Sequence, residues 1–194
     1  MNASGKILRG LFLLVRGKAA GVVEFANTNN ALTASMAPLI AFPLVGAILV
    51  AMRGDINDAL VSFIAQLCVA LAPSLLIYEF ARRWQAEANW LRTASALNWS
   101  FWVALPLLLL GALLASMLVT FGASETVAEA IVIGLIGGYL MWLHWFIVRK
   151  GLNIGVWQAI LLVFVTNIVL GLLVVGPDLI NLAMGGKMSA FMTG

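Results

Sequence analysis

Five apolar runs of about twenty residues, set apart by short polar links, constrain this chain more than any other feature. They occupy residues 32–52, 59–78, 99–121, 127–148 and 156–176. A helix rising ~1.5 Å per residue needs about 20 such residues to cross ~30 Å of hydrocarbon. The links are Arg53-Gly54-Asp55, the segment 79–98, Ser124-Glu125 and the segment 149–153. Links this short force neighbouring spans to run antiparallel. Only 10% of the 194 residues are charged while 63% are hydrophobic, where a soluble domain carries about 25% charge. The expected fold is therefore all-α integral membrane: a five-transmembrane-helix bundle over residues 31–178.

The first thirty residues differ. Lys6, Arg9 and Arg16 punctuate Ile7, Leu8, Leu11, Phe12, Leu14 and Val15. The uninterrupted apolar stretch, residues 11–15, is shorter than the seven residues or more of a secretory signal. This predicts an N-terminal amphipathic interfacial helix capped at Ser4, neither a cleaved leader nor a sixth span. Asn27-Thr28-Asn29-Asn30 ends that segment, and residues 179–194 form a short tail on the other side.

Orientation follows from the eleven Lys and Arg residues. With the N-terminus inside, the inner side holds Lys6, Arg9, Arg16, Lys18, Arg82, Arg83, Arg92, Arg149 and Lys150. The outer side holds only Arg53 and Lys187. Cytoplasmic loops carry the basic excess in multi-pass proteins, so the chain is expected in the cell inner (cytoplasmic) membrane with its C-terminus outside. Trp84, Trp90, Trp99, Trp102, Trp142, Trp145 and Trp157 all fall near the inner boundary in this arrangement, where an apolar ring with one N–H donor is best placed.

Two sets of residues are candidates for function. The first is an inner-face docking surface of Arg82, Arg83, Trp84, Trp90, Arg92, Asn98 and Trp99, for anionic headgroups or a membrane or cytoplasmic protein partner. The segment 79–98 lacks Gly and Pro, so it should continue the second span as a helix and then lie along the inner surface, with Glu79 pairing the basic residues that follow. The second set is an outward polar cleft of Asp58, Gln66, Glu129, His144 and Asn167, with Ser62 and Thr166 beside it. Polar groups inside spans serve transport pathways or hydrogen-bond between helices, and the second role is the simpler expectation here. His144, the only histidine, lies five residues before Arg149, shallow enough for a structural imidazole. Pro38, Pro43, Pro73 and Pro106 should bend their spans. Gly134 and Gly138, and Gly111 with Ala115, should let helix backbones approach within the bundle.

No P-loop, GxGxxG, HExxH, GxSxG or paired-carboxylate arrangement is present. The single cysteine, Cys68, rules out an internal disulfide or a cysteine-based metal site. No catalytic residue, cofactor, metal or nucleic-acid partner is expected.

The layout resembles the Yip-domain superfamily of small five-span membrane proteins, in its bacterial form. The likeness rests on an inner N-terminal segment, five closely spaced spans and a short outer tail. It rests also on Asn89-Trp90-Leu91-Arg92 leading through Ser95-Ala96-Leu97 to Asn98-Trp99, the pair that opens the third span ahead of Pro106. The resemblance implies a non-enzymatic accessory or scaffold protein. It lacks the Asp-Leu-Tyr-Gly-Pro element of eukaryotic members, so their role with Rab GTPases does not carry over. A small transporter or permease component, or a supernumerary subunit of a larger membrane complex, are the alternatives.

Overall fold

The computed structural model describes residues 2–52 and 56–183, and these are helical almost throughout, with no strand among them. Two short helices, α1 (Ala3–Val15) and α2 (Ala20–Val23), precede α3 (Asn29–Ala51) and α4 (Ile56–Arg83). A 3₁₀ turn at Glu87–Asn89 leads into α5 (Trp90–Ser100), and a second at Phe101–Val103 leads into α6 (Ala104–Thr120). The chain closes with α7 (Glu125–Leu152) and α8 (Val156–Ala183). Five helical stretches are long and apolar enough to cross a membrane.

Local sequence accounts for where these helices begin and end. Asn2 caps α1, its Oδ1 accepting from the Gly5 N–H at 3.0 Å, so the expected cap at Ser4 is displaced by two residues. Thr28 and Ser124 cap α3 and α7 through their hydroxyl oxygens, satisfying amide donors that the first helical turn leaves without a partner. Four helices end alike. Each closes on a left-handed residue, Gly17, Gln85, Gly122 or Asn153. The following amide donates back five residues, as in Lys18 to the Leu13 carbonyl at 2.9 Å and Ala86 to the Ala81 carbonyl at 2.8 Å. This is the Schellman closure.

The third apolar stretch is longer than its sequence suggests. The run Glu87–Thr120 is 34 residues, about 50 Å of helix against the ~30 Å a bilayer requires. It breaks once, at the 3₁₀ turn Phe101–Val103, because Pro106 has no N–H for the carbonyl four residues before it. The part ahead of the break, α5, does not lie on a surface. Thr93, Ala94, Ser95, Ala96, Asn98 and Ser100 are all buried, and α5 packs against α1, α2, α3, α4 and α7. Within the segment 79–98, expected to lie along the inner surface, α5 is thus packed among its neighbours: small side chains make it the hub of one end of the bundle.

Close approach depends on particular glycines. A Cβ on Gly151 would overlap the Thr93 hydroxyl and lie 2.7 Å from its methyl, so α7 meets α5 through a glycine. A Cβ on Gly21 would sit 2.6 Å from the Gly10 carbonyl oxygen, which lets α2 fold flat on α1. On α6, Gly111 is buried against Val132 and Ile136 of α7. Gly134 and Gly138 behave otherwise, since a Cβ on either would meet nothing within 4 Å. The expected internal packing through that pair does not occur.

Two core clusters result, both at the end that carries Arg82, Arg83, Arg149 and Lys150. Leu14, Val22 and Phe25 of the N-terminal segment join Ala96, Val103, Leu143, Phe146 and Ile147 in one. Ile77, Ala81, Val148, Leu152, Ala159 and Leu162 form the other. Toward the far end the helices are apolar on their outer faces, with Leu105, Leu108, Leu109, Leu113, Ile133 and Phe164 exposed.

Candidate functional site

The basic end gathers the first set of candidate residues, but it uses them in different ways. Arg82 and Arg83, on the last turn of α4, are exposed. Arg82 pairs with Glu79 at 3.0 Å across one helical turn, an exposed contact worth well under ~1 kcal/mol. Cations at a helix C-terminus also meet the negative end of its dipole. Trp84 is half-buried beside Phe80, ring centres 5.0 Å apart, and Trp90 meets Tyr78 edge-on at 5.0 Å. These two indoles clamp the turn between α4 and α5.

Arg92 is half-buried. Its backbone N–H donates to Asn27 Oδ1 at 3.1 Å, while Asn27 Nδ2 donates to the Ala88 carbonyl at 2.7 Å. One carboxamide thereby pins the start of α3 to the start of α5. The Arg92 Nε is enclosed with no acceptor among the described residues. Arg149 lies over the Trp145 ring at 5.2 Å, a cation–π contact.

Asn98 and Trp99 point inward. Asn98 is 4% exposed and joins three helices: Ser74 Oγ of α4 donates to its Oδ1 at 3.0 Å, and its Nδ2 donates to Ser35 Oγ of α3 at 3.0 Å. Ser35 in turn donates to the Leu32 carbonyl at 2.6 Å. Each of the three buried side chains thus has a hydrogen-bond partner, as burial of polar groups requires. Ser35 and Ser74 were not among the sequence candidates. Their signal is a hydroxyl within a largely apolar span, which says nothing about its partner.

The N-terminal segment seats on the same end. The Tyr139 hydroxyl donates to the Val15 carbonyl at 2.8 Å, and Tyr139, Trp142 and Phe146 form a ladder along α7 with ring centres 5.6 and 5.5 Å apart. Arg9 pairs with Glu24 at 3.4 Å, fixing α1 to α2. The outward side of α1 shows Leu8 and Phe12, with Arg16 over the Phe12 ring at 5.2 Å.

Among the described residues, no hydrogen bond gathers the second set into one cleft. Gln66 Nε2 donates to Ser62 of its own helix at 2.8 Å. Asn167 Nδ2 and Thr166 Oγ1 donate to the Val163 and Leu162 carbonyls, each at 2.8 Å. Glu129 is exposed on α7. His144 Nε2 is enclosed with no partner among the described residues. The side chain of Asp58, together with Arg53, Lys187 and the tail from residue 184, lies outside the described residues. Among those described, no group of three or more His, Cys, Asp or Glu is placed to hold a metal. No protein-family model, curated protein or solved structure matches the chain.

Proposed function

We propose that this chain is a non-enzymatic accessory or scaffold protein of a cytoplasmic membrane, docking anionic lipid headgroups or a protein partner on its inner face. Its N-terminus lies on the cytoplasmic side, and its layout is kin to the bacterial Yip-like proteins. One observation carries this reading: basic side chains and indoles collect at the same end of the bundle as the surplus helix length. The helices α4 and α7 are 28 residues each, about 42 Å, roughly 12 Å more than the hydrocarbon takes. With the outer boundary at the α6–α7 turn, ~30 Å of bilayer reaches Trp99 and Trp102 on one helix and Trp142 and Trp145 on the other. Arg82, Arg83, Arg92, Arg149 and Lys150 then stand beyond it, in the headgroup layer or the water below. The polar α5 hub sits at that depth, where Thr, Ser and Asn are inexpensive. The exposed Leu8, Phe12 and Val23 dip the N-terminal segment into the interface.

The test is double charge reversal, Arg82→Glu with Arg83→Glu, which alters exposed side chains and leaves the core intact. We expect loss of partner recovery in mild-detergent pull-downs, and loss of anionic-lipid retention in native mass spectrometry. Unchanged recovery of both overturns the docking role. The transport alternative draws no support from Gln66, Thr166 and Asn167, whose side chains bond within their own helices.

A further inference from the structure

A separate cavity of about 330 Å³ opens where the α4–α5 and α7–α8 turns face each other. Its polar lining is unusual. Gln85, Asn89, Asn153 and Gln158 present four carboxamides, Trp84 supplies an aromatic edge, and no charged residue takes part. Among the described residues, only Gln158 spends its amide locally, its Oε1 accepting from the Gly155 N–H at 2.9 Å.

The backbone gives an independent reason to think these side chains are placed for a ligand. Four helices close with a left-handed residue. At the ends of α1 and α6 that residue is glycine, Gly17 at φ 68° and Gly122 at φ 95°, as sterics favour. The two that border the cavity, Gln85 at φ 55° and Asn153 at φ 56°, are the described residues that are left-handed without being glycine. Asparagine tolerates this conformation, whereas glutamine gains nothing there from its backbone. The chain holds a strained side chain at the cavity and avoids one elsewhere.

The chemistry of the lining selects the ligand class. A carboxamide both donates and accepts, which matches a hydroxyl that does the same. An anion would lack a lining cation, and the amide ends of α5 and α8 that border the cavity are offset by the carbonyl ends of α4 and α7. A cation would lack a carboxylate. We propose that this cavity binds a neutral, hydroxyl-rich group, a sugar or polyol, with carboxamides on its hydroxyls and Trp84 against its apolar edge. The group arrives either as a free solute or as the headgroup of a lipid, since the cavity lies just beyond the proposed inner boundary. This site shares Trp84 with the docking surface but uses none of its arginines.

The test uses the full chain in phosphatidylcholine nanodiscs, because sugar-based detergents would compete. Free methyl glucoside is titrated by saturation-transfer NMR. A parallel preparation carries monoglucosyl diacylglycerol, and retention of that lipid is read by native mass spectrometry. The informative variant is Gln85→Gly with Asn153→Gly, which removes two carboxamides while giving both left-handed positions the residue they favour. We expect binding to weaken about tenfold or more, on the loss of two hydrogen-bonding groups, while the thermal midpoint stays level or rises. Saturable methyl glucoside binding identifies a free solute, and variant-sensitive lipid retention alone identifies a headgroup. Absence of both, binding indifferent to the double variant, or a preference for inorganic phosphate overturns the proposal. None of these outcomes depends on Arg82 or Arg83, so the two hypotheses fail separately.

Discussion

At the residue scale, Asn98 shows how a polar side chain becomes structural. It stands out in the sequence beside Trp99, yet its partners are 63 and 24 positions away, and nothing local specifies them. Replacing it with alanine leaves two serine hydroxyls facing a void. Asn98→Ala should cost about 1–3 kcal/mol of stability, measured by thermal or denaturant unfolding in detergent. Ser35→Ala or Ser74→Ala should cost less on the Asn98→Ala background than alone, because the shared network is already broken. Additive losses would mean that the three do not act as a unit. Gly151 makes a steric counterpart. Gly151→Ala should destabilise by about 1–3 kcal/mol through its clash with Thr93, and Thr93→Ala should restore part of that loss.

At the level of elements, α1 and the Gly134–Gly138 stripe each departed from what their patterns implied. The apolar residues of α1 look from sequence like one lipid-facing surface. Folding divides them, so that Leu14 is fully buried while Phe12 is 61% exposed. Leu14→Ala should therefore cost about 2–5 kcal/mol, and Phe12→Ala under about 1 kcal/mol, by the same unfolding measurement. Equal effects would indicate that α1 lies free of the bundle. A Cβ on either glycine of the stripe meets nothing within 4 Å, so Gly134→Leu with Gly138→Leu should leave the monomer's stability within about 0.5 kcal/mol. A large loss would mean that these glycines are packed after all. Helical periodicity finds a small or apolar face but does not say which neighbour occupies it.

At the level of the whole molecule, the proposed orientation has a direct readout. In a Cys68→Ser background, Lys150→Cys should react with a membrane-impermeant thiol reagent only from the cytoplasmic side. Phe121→Cys, 83% exposed in the native residue and at the opposite end, should react only from outside. The reverse labelling would overturn the topology. In the proposed orientation, the surplus length of α4, α7 and the Glu87–Thr120 run projects on the cytoplasmic side.

From sequence alone, the chain's helical class and its five apolar stretches follow, because a bilayer imposes a length and a hydropathy that can be read residue by residue. The helix breaks at Pro106, Gly122 and the Thr28 and Ser124 caps are local too. Tertiary structure alone decided that α5 is a hub rather than a surface helix, that Asn98 joins Ser35 to Ser74, and that four carboxamides share one cavity. Those outcomes depend on contacts between distant positions, where the side chain on the opposite helix, and not the local pattern, sets the energy.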